Sequence, residues 1–110
     1  MMSKVSIDEL FEKQKEFQKY LVNVDLPIND PEMMSYHILG LVGEIGEVMQ
    51  ADKRWKNNGR NVYYDKNEKL MEIADCFIFM INIVLFSGFE AEDIMSAVKD
   101  KINKNIERLL

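Results

Sequence analysis

The sequence predicts an all-α fold, a four-helix bundle that is completed by homo-oligomerisation. Four segments carry apolar residues at helical spacing, and a capping or chain-breaking signal bounds each of them. No stretch shows the strict apolar–polar alternation of a half-buried strand. With 110 residues, 47% hydrophobic and 30% charged, the chain reads as one globular domain over 1–110. A core of this size buries only about two-thirds of the surface of its unfolded chain, so burial between subunits is a natural further source of stability. A homodimer or homotetramer is therefore expected.

Ser6 with Glu9 three residues on forms a capping box, and Ile7, Leu10, Phe11, Phe17 and Leu21 follow at helical spacing. The first helix then runs roughly from Ile7 to Leu21. After a connector marked by Pro27, Asp30 and Pro31 start the second helix, since proline at the first helical position loses no hydrogen bond. This helix should continue to about Arg54. Asn57, Asn58, Gly59 and Asn61 mark a polar loop. Glu68 to Phe86 is apolar nearly all round and stops at Ser87 and Gly88, so this third helix should be central. Glu90, Glu92 and Asp93 place negative charge where the next helix dipole favours it, and Ile94, Val98, Ile102, Ile106 and Leu109 form one stripe along the fourth helix.

Composition narrows the function. Fourteen basic against nineteen acidic residues leave a net charge of −5, which disfavours nucleic acid polymers, whose affinity rests on phosphate neutralisation. The longest apolar run, Cys76 to Phe86, is broken by Asn82 and is too short to span a bilayer, so no membrane partner is expected. The single cysteine, Cys76, excludes a disulfide framework and reads as a small core residue. A cytoplasmic location follows.

Two acidic pairs carry the chemistry. Glu44 and Glu47 are spaced i,i+3, so both carboxylates project from one helical face, and Glu72 and Asp75 repeat that spacing on the third helix. A single such pair is usually a solvated face. Two pairs on two apolar helices point to a hard cation that binds oxygen, Mg²⁺ with Mn²⁺ as the alternative, sharing its coordination with phosphate groups. A ferritin-like di-iron centre needs Glu-x-x-His pairs, and the sole histidine, His37, does not follow any glutamate by three. His37 lies one and two turns before Gly40, Leu41 and Glu44, yet a lone histidine is more often a hydrogen-bonded packing residue.

Other candidates surround these pairs. Gly40, Gly43 and Gly46 each cost about 1 kcal/mol relative to alanine in a helix, so their spacing implies close approach by another helix or a ligand. Lys53, Arg54, Trp55, Lys56 and Arg60 gather positive charge beside the first pair, suited to a polyphosphate. Lys101, Asn105 and Arg108 share one face of the fourth helix. Gln14 interrupts the apolar stripe of the first helix, where its amide is placed to read the edge of a base, with Phe11, Phe17 or Trp55 available to stack on the ring.

In this order, Glu44-x-x-Glu47 followed by Glu72-x-x-Asp75 resembles the signature of the all-α nucleoside triphosphate pyrophosphohydrolases, the superfamily of MazG-like proteins and dimeric dUTPases. The run Lys101 to Arg108 is similar to the closing Lys, Asn and Arg pattern of MazG-like and dCTP pyrophosphatase members. Lys53 to Lys56 looks like the Trp-Lys element of the dimeric dUTPases, whose early glutamine Gln14 echoes. The resemblance implies a MazG-like bundle that cleaves between the α and β phosphates of a (d)NTP and releases the monophosphate and pyrophosphate, in nucleotide-pool sanitation. It implies Mg²⁺ held by Glu44, Glu47, Glu72 and Asp75; the chemistry of a metal-bound water attacking phosphorus in line then assigns Glu47 or Glu44 as its base. Substrate contacts would come from Gln14, Lys53, Trp55, Lys56, Lys101, Asn105 and Arg108. The rival reading is a non-catalytic helical interaction module that retains the fold.

Overall fold

The computed structural model describes residues 4–22, 27–53 and 64–110. Four helices follow one another, α1 (Ile7–Val22), α2 (Pro31–Asp52), α3 (Lys66–Phe86) and α4 (Ala91–Leu109), with no strand among the described residues. The fold is all-α, as the spacing predicts. The polar loop read at Asn57 to Asn61 lies outside the described residues.

Local chemistry sets the boundaries. At the start of α1 the Glu9 backbone N–H donates to Ser6 Oγ at 3.1 Å. Asp30 caps α2 by accepting from the Glu32 N–H at 3.4 Å, ahead of Pro31 at the first position. α3 begins two residues earlier than its apolar pattern, because Asp65 accepts from the N–H groups of Asn67 at 2.9 Å and Glu68 at 3.2 Å. That side chain satisfies donors which the first helical turn leaves free. α2 ends at Asp52, and Lys53 closes it in the left-handed region, φ 63°.

α2 and α3 form an antiparallel hairpin, visible in contacts whose partners move in opposite directions along the two helices. His37 stacks on Phe86, Gly40 meets Phe79, and Asp52 pairs with Lys69 at 2.5 Å. α1 lies against the C-terminal half of α3, where Phe11 joins Ile81, Val84, Leu85 and Ala91 in the buried core. The core sits at that end. α3 is therefore central over Ile81 to Phe86 only; nearer its start, Leu70, Met71 and Phe77 are exposed.

One expectation needs correction. Of the three helical glycines, only Gly40 is closely approached, since a Cβ there would overlap the Phe79 ring, whereas Gly43 and Gly46 face open space. α4 meets the core through Ala91 and Ile94. It bends away from α3 by 110°, and beyond Ile94 its stripe of Val98, Ile102, Ile106 and Leu109 is exposed. Among the described residues, no single helix is long and apolar enough to cross a membrane.

Candidate metal centre and adjoining cavity

The hairpin register sets Glu44 on α2 opposite Glu72 and Asp75 on α3. One carboxylate oxygen from each of the three lies within 4.8 Å of the other two, and all three residues are half-buried. Glu47, one turn beyond Glu44, is exposed and falls outside this group. It still acts on it through charge. Desolvation comes first among the causes that push the Glu72 carboxyl above its ordinary range, followed by the negative charges of Asp75, Glu47, Glu44 and Glu68. Cys76, beside Asp75, is half-buried, and burial raises its thiol, aided by the charges of Glu44, Asp75 and Glu72.

An all-carboxylate set whose members repel one another fits a hard divalent cation. Such an ion takes oxygen ligands and relieves the repulsion, and three protein oxygens leave coordination positions open to water or phosphate. No histidine takes part in the group. His37 is instead buried at 2% exposure, with its ring stacked on Phe86 at 4.6 Å, edge-on to Tyr36 at 5.2 Å and tilted against Phe79 at 6.0 Å. Neither of its ring nitrogens has a hydrogen-bond partner among the described residues. The expected hydrogen-bonded packing histidine is thus an unpaired one, and desolvation holds its pKa below the ordinary 6.5.

One to two turns further along α3 from Asp75, a cavity of about 420 Å³ opens between α1, α2 and α3. Phe17, Leu21, Tyr36 and Ile78 give it apolar and aromatic walls, while Gln14, Gln18, His37 and Asn82 supply polar groups. Gln14 Nε2 donates to Asn82 Oδ1 at 2.9 Å and Gln18 Nε2 donates to the same oxygen at 3.3 Å. A mostly apolar pocket with a few convergent polar groups is the usual form of a small-molecule site. Sequence reasoning singled out Gln14 and overlooked Gln18 and Asn82. The one available signal was Asn82 itself, an amide inside an apolar run.

The remaining candidates disperse. Phe11 is core and Phe17 lines the cavity. Lys53 is exposed at the end of α2, and Lys101, Asn105 and Arg108 are exposed on α4. Arg54, Trp55, Lys56 and Arg60 lie outside the described residues. No curated protein and no solved structure matches the chain. Residues 6–110 match the family model described as dUTPase, a match that takes in α1, both acidic pairs and α4, and the chain belongs to that family.

Proposed function

We propose that this protein is a homo-oligomeric, Mg²⁺-dependent nucleoside triphosphate pyrophosphohydrolase. It cleaves a (d)NTP between the α and β phosphates, yields the monophosphate and pyrophosphate, and serves nucleotide-pool sanitation. The observation that carries the reading is the convergence of Glu44, Glu72 and Asp75 one to two turns along α3 from a cavity of about 420 Å³. The family match adds that nucleotides are its substrate class and puts dUTP first among the candidates. The matching family is that of the dUTPases, so the neighbouring MazG-like label is not carried further.

Glu44, Glu72 and Asp75 would hold the metal, with Glu47 joining them or acting as base toward the attacking water from its exposed position one turn away. When bound, Mg²⁺ supplies charge neutralisation at the phosphate oxygens and lowers the pKa of a coordinated water. The residues of the chain do the rest. Gln14 reads the base in the cavity, Phe17 stacks against it, and Lys53, Trp55 and Lys56 neutralise and cover the polyphosphate. Lys101, Asn105 and Arg108 extend on a helix that turns away from α3, so they serve the phosphates of a second copy. The exposed apolar residues of α4, with Leu39, Val42 and Met49 on α2, supply the surface for that assembly.

The test is pyrophosphate release from a panel of canonical and damaged (d)NTPs, with and without Mg²⁺, followed by identification of the nucleotide product. Monophosphate and pyrophosphate formed only with Mg²⁺ are expected. No release from any member at high protein concentration would leave the non-catalytic helical module as the better reading.

A further inference from the structure

We propose that Asn82 is a positioning residue that sets base selectivity, by holding the amides of Gln14 and Gln18 with their carbonyl oxygens toward the cavity. This rests on the nucleotide reading above and deepens it.

Asn82 is 3% exposed, between Ile81 and Ile83 in the most apolar part of α3. An amide in such a place is costly unless bonded. Its Oδ1 accepts from Nε2 of Gln14 at 2.9 Å and from Nε2 of Gln18 at 3.3 Å. A carbonyl oxygen has two lone pairs, so the two glutamines saturate it and leave it nothing to offer a ligand. Each glutamine in turn has its NH₂ end directed at Asn82.

Three polar atoms remain, Oε1 of Gln14, Oε1 of Gln18 and Nδ2 of Asn82. Among the described residues, the half-buried or buried side-chain polar atoms that have neither a partner nor solvent contact are the two nitrogens of His37. The three amide atoms therefore keep contact with open space, and all three residues line the cavity. On this proposal the cavity offers a ligand two acceptors, the glutamine oxygens left over once both Nε2 groups are engaged at Asn82, beside one donor. A base edge that sets its own donor next to an acceptor is complementary to this array in one orientation only. A free glutamine amide turned by 180° would offer N–H in place of oxygen, and the same pocket would then accept the exchanged edge. The clamp at Asn82 opposes that turn in either glutamine alone, since it would set oxygen against oxygen.

The experiment compares kcat/KM for dUTP and dCTP, whose base-pairing edges exchange donor and acceptor at two adjacent positions, in the full chain and its variants. Asn82→Leu is expected to shrink the ratio between the better and the poorer of the two at least about tenfold, mainly through KM. Asn82→Asp, which keeps the accepting oxygen, should restore most of it. Gln14→Leu should also shrink the ratio, and adding Asn82→Leu to it should cost little more, because the two side chains act as a unit. Should Asn82→Leu not fold, Asn82→Ser, too short to reach both glutamines, reads the same ratio. A folded variant with the wild-type ratio overturns the inference, as does full additivity with Gln14→Leu. If the wild-type protein hydrolyses no nucleotide, the parent reading falls and this one with it; if it discriminates and the variants discriminate equally, only this inference falls.

Discussion

The imidazole of His37 lies stacked on the ring of Phe86, centroids 4.6 Å apart and planes inclined by 27°, with both ring nitrogens unpaired among the described residues. A histidine held in this way resists protonation, and desolvation holds its pKa below 6.5. Because the folded-state value is depressed, the unfolded chain takes up the proton first. The contribution of His37 to stability is complete above about pH 6.5 and is lost as pH falls toward and through the folded-state value. His37→Leu is expected to flatten this acid limb of the stability curve and to match or exceed wild-type stability at pH 8, where an unpaired polar group has been removed. Denaturant titrations at closely spaced pH values check this; parallel curves for the two proteins below pH 6.5 would refute it.

Glu72 lies where several negative charges meet, and its ionised form is disfavoured in the folded protein. Replacing it by glutamine removes that repulsion. Glu72→Gln is expected to raise the melting temperature of the metal-free protein at neutral pH, to diminish the further rise on adding Mg²⁺, and to lower pyrophosphate release by about two orders of magnitude or more. Differential scanning calorimetry with and without Mg²⁺ measures the first two effects. A lower melting temperature in the absence of metal would count against the charge argument.

Gly40 faces the Phe79 ring across the α2–α3 hairpin, where a Cβ would overlap it. Gly40→Ala should therefore destabilise the protein by about 1–3 kcal/mol, as overpacking does, despite the better helix propensity of alanine. Combining it with Phe79→Leu, which withdraws the ring, should recover part of the loss. Urea unfolding of the two single variants and the double variant gives the coupling; strict additivity would show that the ring is not the obstacle.

The stripe on α4 places Ile102 and Ile106 in water at 52% and 49% exposure. If a second copy covers them, Ile102→Lys with Ile106→Lys will reduce the molar mass in solution to that of one chain and depress activity, while helical content changes little. Multi-angle light scattering coupled to size-exclusion chromatography decides the matter. A wild-type protein that is already a monomer would remove the role given to Lys101, Asn105 and Arg108 across subunits.

The four helices were legible because helix formation is governed by neighbours three and four residues away, and those neighbours are written in order. Ser6, Asp30 and Glu90 marked the starts, and Ser87 with Gly88, at φ 83°, marked the stop after α3. The cap Asp65 lies outside the apolar pattern, so spacing alone starts α3 two residues late. The acidic pairs were legible for the same reason, each being a single helical face. Their convergence was not.

Residue order and spacing carry the helices, the two carboxylate pairs and the family resemblance. Tertiary structure alone decided that Glu44 meets Glu72 and Asp75 with Glu47 left at the edge, that Gly40 and not Gly43 or Gly46 is pressed by a neighbour, and that Gln14, Gln18 and Asn82 share one cavity. It also took His37 away from the acidic group and buried it against Phe86. The physical reason is common to all of these. Spacing along a helix fixes which side chains share a face, but the rotation and register of one helix against another are set by packing between residues distant in sequence, and only those fix which faces meet.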